Sequence, residues 1–136
     1  MQIAPYLFFN GQCEEALEFY AQALGGEITA LMRFHGSPMD NDQMPPGWGH
    51  KVMHANFKAH GTEFMASDGM PGMPAPIYGG FAMSLYVPND KDRAEQAFNA
   101  LSAGGKVTMP FAPPFWGGHF GMLVDRYGVP WMVSTE

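Results

Sequence analysis

Residues 13–29 read CEEALEFYAQALGGEIT, and residues 92–108 read DRAEQAFNALSAGGKVT. Laid over one another without a gap, they put Gly25-Gly26-Glu27-Ile28-Thr29 on Gly104-Gly105-Lys106-Val107-Thr108 and Phe19 on Phe98. The same offset carries Asn10 onto Asn89. In the first copy Ala16, Leu17, Tyr20, Ala21 and Leu24 recur at helical spacing, and in the second Ala94, Ala97, Phe98 and Leu101 do the same. A Gly-Gly pair then stops each helix where a left-handed residue closes the last turn, and a strand-like run follows. The repeat predicts an internal duplication.

Working outward, residues 3–9 (IAPYLFF) form an apolar strand-like run ended by Asn10-Gly11, and 27–34 (EITALMRF) form the strand after the first helix. Residues 35–49 are loop by composition. Two further strands, 50–59 and 62–68, are separated by His60-Gly61, a length that suits a tight hairpin. Residues 69–80 are a Gly/Pro-rich connector, after which the order repeats: strand 81–87, helix 90–103, strand 106–109, loop 110–118, and a last pair of strands around Asp125-Arg126-Tyr127-Gly128. The expectation is one α+β domain over 1–136, with a first module at about 1–70 and a second at 81–136.

Composition bounds the function. A chain of 136 residues, 46% hydrophobic and 14% aromatic, can fill one sizeable core. A net charge of -6 with only seven Lys and Arg argues against nucleic acid and anionic membrane surfaces, which need clustered cations. No apolar run is long enough to span a bilayer, and MQIAPYLFFNG lacks the marks of a secretory leader, so a cytoplasmic protein is expected. Cys13 is the single cysteine, which excludes an internal disulfide. No GxSxG elbow, phosphate loop or GxGxxG turn is present, so no nucleotide cofactor is expected.

Side chains alternate across strands, so the His60-Gly61 turn sets Lys58 opposite Glu63, Asn56 opposite Met65 and His54 opposite Ser67 on one mixed-polar face. Phe57, Phe64 and Ala66 lie on the other. A four-residue turn in the last hairpin would place His119, Gly121, Leu123, Pro130, Met132 and Ser134 together, with Phe120, Met122 and Trp131 on the reverse. Ala82, Ser84 and Tyr86 share one side of strand 81–87, and Tyr6 or Leu7 comes from the first strand.

A sheet with one apolar face on a helix and one polar-aromatic face suits a small-molecule site. The candidate ligand-binding residues are Tyr6, His54, Asn56, Ser67, Tyr86 and Trp116. His54 is a candidate acid/base as well as a structural histidine. Glu63 and Asp68 nearby would complete a divalent-metal set with it, although Glu63 opposite Lys58 also reads as a surface pair. Trp48, Phe115 and Trp116, on Gly/Pro-rich loops, read either as a lid or as loop anchors. The twelve methionines read as gap fillers.

The stretches PYLFFNGQCEEALEFYAQALGGEI, HKVMHANFKAHGTEFMASD and FWGGHFGMLVDRYGVPWMV together resemble the PhnB-like branch of the vicinal oxygen chelate superfamily, over nearly the whole chain. The resemblance implies two paired βαβββ modules forming a U-shaped cup, the glyoxalase/bleomycin-resistance/dioxygenase-like fold, in a homodimer. It also implies a divalent metal at positions that here hold Pro5, Met65, Ala82 and Met132. None of these is a good ligand for a hard cation, so the expectation is a metal-free binder of a small apolar or aromatic molecule. The alternative is a metal-dependent lyase, isomerase or dioxygenase built around His54. This branch also carries the label of a 3-demethylubiquinone methyltransferase.

Overall fold

The computed structural model describes residues 1–41 and 44–136. Its residues divide into two compact units, Met1–Pro76 and Ile77–Glu136. The first contains β1 (Tyr6–Phe8), α1 (Cys13–Leu24), β2 (Glu27–Arg33), a single 3-10 turn at Trp48–His50, β3 (Val52–Ala59) and β4 (Thr62–Ser67). The second contains β5 (Met83–Tyr86), α2 (Lys91–Ser102), β6 (Lys106–Ala112), β7 (His119–Val124) and β8 (Pro130–Thr135). The sheet orders, β1-β4-β3-β2 and β5-β8-β7-β6, are the same arrangement twice. The expected pair of βαβββ modules is therefore present, in an α+β fold. Among the described residues no helix is long and apolar enough to cross a membrane.

The glycine pairs follow both helices but end them differently: Gly25 caps α1 and its N–H bonds the Ala21 carbonyl, whereas α2 is capped by extended Ala103 and Gly104 lies one residue beyond, which corrects the expected left-handed stop of the second helix. Gly25 and Gly104 adopt left-handed backbone, with φ of 73° and 76°. The glycine after each stands where the chain passes its own sheet: a Cβ on Gly26 would lie 2.8 Å from the Lys58 carbonyl oxygen, and one on Gly105 would run into the Val124 carbonyl.

Each helix buries one stripe against one face of its sheet. In the first unit Cys13, Ala16, Leu17 and Tyr20 of α1 are buried, and Tyr20 meets Phe57 and Phe64 edge-on with ring centroids 6.4 Å apart. In the second, Ala94, Ala97, Phe98 and Leu101 of α2 face a sheet side holding Leu123, Trp131 and Val133. Fully burying each large apolar side chain stabilises the fold by roughly 1.5–3 kcal/mol. Cys13 is fully buried, and burial drives its thiol well above the ordinary value, so it packs as a small apolar residue.

The His60-Gly61 hairpin has the expected register, with Ala59 opposite Thr62 and Lys58 opposite Glu63. His60 takes the positive φ of 52° that such a turn requires, and its Nε2 bonds the Leu24 carbonyl at the end of α1.

Two expectations are corrected. Strand β6 runs to Ala112 instead of ending at Met109. Pro110 is tolerated because β6 is an edge strand and its register shifts between Met109 and Ala112. The last hairpin closes through five residues, since Val124 pairs with Pro130. Asp125 makes that turn: its Oδ1 accepts from the Tyr127 and Val129 amides at 2.8 and 3.0 Å, and its Oδ2 accepts from the Trp131 indole at 2.9 Å. The extra residue exchanges the faces. Gly121, Leu123, Trp131 and Val133 lie toward α2, while Phe120, Met122, Pro130, Met132 and Ser134 lie on the reverse.

Candidate functional site

In the first unit Leu7 points into the core while its neighbours Tyr6 and Phe8 remain on the face away from α1. Parallel pairing sets Tyr6 beside Met65 and Phe8 beside Ser67. Antiparallel pairing sets Asn56 beside Met65 and His54 beside Met32. Two rungs therefore cross this face, Tyr6–Met65–Asn56–Ala30 and Phe8–Ser67 with His54–Met32.

His54 joins the rungs. Its Nε2 lies 2.7 Å from Asn56 Oδ1, and its Nδ1 lies 2.9 Å from Tyr6 Oη. An amide oxygen can only accept, so Nε2 carries a hydrogen and donates to Asn56, while Nδ1 pairs with the Tyr6 hydroxyl. Burial raises the Tyr6 phenol above its ordinary value, partly offset by a Ser67 hydrogen bond, which keeps it a neutral donor. Tyr6 also stacks on Phe8, with centroids 4.9 Å apart. The result is an aromatic surface crossed by a Tyr–His–Asn hydrogen-bonded chain.

Ser67 is buried beneath this face, its Oγ accepting from the Gly69 amide at 2.9 Å. Asp68 is buried too, but its carboxylate is engaged by the backbone. Oδ1 accepts from the Gly11 and Cys13 amides at 2.8 and 2.9 Å, and Oδ2 from the Val52 amide at 2.8 Å. It fastens the start of α1 to the sheet. Glu63 is exposed at the hairpin end, opposite Lys58. Among the described residues no three His, Cys, Asp or Glu side chains form a group that could hold a metal ion.

In the second unit the rungs of the corresponding face are Ser84–Met132–Met122–Met109 and Tyr86–Ser134–Phe120–Ala112. A cleft of about 350 Å³ opens at one end, lined by Tyr86, Trp116, His119, Ser134 and Glu136 with the Gly117-Gly118 backbone. Trp116 sets its ring edge-on to Phe120 at 5.6 Å and to Phe115 at 4.9 Å. Tyr86 donates to the Glu136 carboxylate, and that hydrogen bond raises its phenol above the ordinary value. Phe120 and Met122 were missed from sequence because the four-residue turn put them on the buried face. A buried Asp-x-Tyr-Gly-Val turn followed by Trp was the available signal.

Trp48 lies in the first unit, packed 6.4 Å from Phe34, with its indole N–H buried and unpartnered among the described residues. A second, polar cleft of about 720 Å³ in the first unit, lined by Glu14, Arg33, Lys51 and Asp68 among others, was not anticipated. Arg33 grips Glu14 there through two bonds of 3.0 and 2.9 Å and holds its carboxyl below the usual range.

The positions that would bear the superfamily's divalent metal do not fit one. Pro5 offers a carbonyl already bonded to the Met65 amide, Met65 and Met132 offer thioethers, and Ala82 offers no side-chain donor.

Comparison with known proteins agrees with this architecture. A family model described as 3-demethylubiquinone-9 3-methyltransferase matches residues 1–134. Protein YjdN of Escherichia coli is 33% identical, over 99% of this chain and 95% of its own. The solved structure of PA1353 from Pseudomonas aeruginosa superposes with a TM-score of 0.87 at 46% identity, covering 100% of this chain and 98% of that one. A PhnB protein from Bacillus cereus superposes with a TM-score of 0.82 at 27% identity, over all of both chains. A glyoxalase-related enzyme from Fulvimarina pelagi and a glyoxalase/bleomycin resistance protein from Albidiferax ferrireducens share the fold at 17% and 14% identity, with TM-scores of 0.62 and 0.59.

Proposed function

The chain belongs to the 3-demethylubiquinone-9 3-methyltransferase family, the PhnB-like branch of the vicinal oxygen chelate superfamily, and from that premise we propose a homodimeric, cytoplasmic small-molecule-binding protein that takes an apolar or aromatic ligand without a divalent metal. The observation that carries this reading is the Tyr86–Trp116 cleft. Its volume of about 350 Å³ is within the range of ligand pockets, and it combines ring faces with a few polar groups from Ser134, Glu136 and Tyr86. In the first unit Tyr6, His54 and Asn56 add a fixed donor–acceptor chain on an aromatic surface, suited to orienting a ligand by a single oxygen or nitrogen. Dimerisation is supported by Ile77 and Phe115, which are 96% and 98% exposed and would be covered by a second copy.

The donor chemistry at Pro5, Met65, Ala82 and Met132 supports a metal-free mode. Metal analysis of protein purified without chelator tests it. The expected result is no stoichiometric divalent ion. One ion per chain, lost in His54→Ala, would overturn it and support the alternative of a metal-dependent lyase, isomerase or dioxygenase, to be tested by turnover. Equilibrium dialysis against aromatic and aliphatic fragments tests the ligand class: aromatic fragments should bind preferentially, and Trp116→Ala should weaken them by about tenfold, the usual scale for a buried aromatic contact.

A further inference from the structure

Three methionines stand side by side on the open face of the second unit. Met109 of β6 is directly opposite Met122 of β7, and Met122 is directly opposite Met132 of β8. Adjacent strands lie about 4.8 Å apart, and opposed Cβ atoms about 5 Å apart. Each methionine has three rotatable bonds, which gives neighbouring thioethers on the rung the freedom to turn toward one another, and Met109 is held opposite Met122 between two register shifts of β6. These side chains are not filling the helix-facing core, which Leu123, Trp131 and Val133 occupy on the other side of the same strands. Met109 is 46% exposed, and Met122 and Met132 are half-buried.

A thioether is a neutral, soft donor that serves hard cations poorly and soft, electron-rich monovalent ones well. No carboxylate or imidazole lies on the rung, whose fourth member is Ser84. The chain's net charge of -6 favours the approach of any cation.

We propose that Met109, Met122 and Met132 form a three-thioether site for a soft monovalent cation of the Cu(I) type, for which Ag(I) is an air-stable probe. The site is separate from the aromatic-ligand reading and does not depend on it.

Protein carrying methyl-labelled methionine, titrated with Ag(I) and followed by NMR, tests this. The methyl signals of Met109, Met122 and Met132 should move together and saturate at one equivalent, while the other nine of the twelve methionines stay in place. Met122→Leu, close to volume-conserving, should abolish the saturable shifts of Met109 and Met132 while circular dichroism shows a retained fold. Should that variant fail to fold, Met109→Leu on the edge strand replaces it. Shifts spread over exposed Met1, Met70 and Met73, absence of saturation at one equivalent, or uptake unchanged in the variant would overturn the site.

Discussion

The two units share one topology and differ on their open faces. Position for position, the rungs make Tyr6 the counterpart of Ser84, His54 of Phe120, Asn56 of Met122 and Phe8 of Tyr86, while Met65 corresponds to Met132 and Ser67 to Ser134. The first face thus holds a linked Tyr–His–Asn chain where the second holds a serine, a phenylalanine and a methionine. The helix-facing sides are alike in kind, an aromatic and aliphatic layer under a helix stripe that mixes alanine with one aromatic and one leucine. A duplicated fold keeps the side that supplies its stability and is free to change the side that does not. Specialisation of the open faces, one polar and one soft and aromatic, is where function should be sought.

The largest test of that division lies with the buried aspartates, which hold the two units at different points. Asp68 satisfies three amides at the start of α1 and β3, whereas Asp125 closes the last hairpin. Asp68→Ala would leave those amides buried and unpaired, and should lower the unfolding free energy by about 3–5 kcal/mol in urea titration. A loss under about 1 kcal/mol would show that water replaces the carboxylate easily.

A smaller effect separates the two glycine pairs. A Cβ on Gly105 meets only backbone, at Val124 and Asp125, whereas one on Gly26 meets the Phe57 ring tip and the Ala59 methyl as well as the Lys58 carbonyl. Gly105→Ala should therefore cost roughly 1–3 kcal/mol, and more than Gly26→Ala, because backbone yields less than a side chain. The reverse order in thermal unfolding would break the expected equivalence of the two crossings.

The finest comparison is between two tyrosines whose pKa values are raised for different reasons. Burial leads for Tyr6, and the hydrogen bond to Glu136 leads for Tyr86. Glu136→Gln should lower the Tyr86 titration toward the ordinary phenol value and leave Tyr6 unmoved, as followed by NMR. Because a raised folded-state pKa favours the protonated form, the contribution of Tyr6 is fully present below the ordinary phenol pKa of about 10 and is lost as pH rises through the folded value. Equal movement of both tyrosines would contradict the separate causes.

Much of the fold was legible because helix periodicity, the Gly25 stop of α1 and the His60-Gly61 turn are local signals whose outcomes tertiary structure left alone. The face of β7 and β8 was not, since it depended on one residue in a turn. Val129 looks like the start of a strand, yet Asp125 gathers its amide into the turn and buries it. From that slip followed the misplacement of Phe120 and Met122. Asp68 shows a different limit: a carboxylate beside a histidine in sequence pattern reads as a ligand, and only coordinates reveal that its lone pairs are taken by amides. The Tyr6–His54–Asn56 chain was partly visible, because β-pairing alone put His54 and Asn56 on one face, while the parallel pairing that brings Tyr6 to them is non-local.

The most direct test of the central claim, that the open sheet faces receive the ligand, is NMR mapping with 2-naphthol, a flat aromatic probe with one hydroxyl. The account predicts saturable shifts at the Trp116 indole, Phe120, Tyr86 and Ser134, or at Tyr6, His54 and Asn56, with the outer surfaces of α1 and α2 unaffected. Shifts confined to the helices, or none at saturating probe, would contradict it.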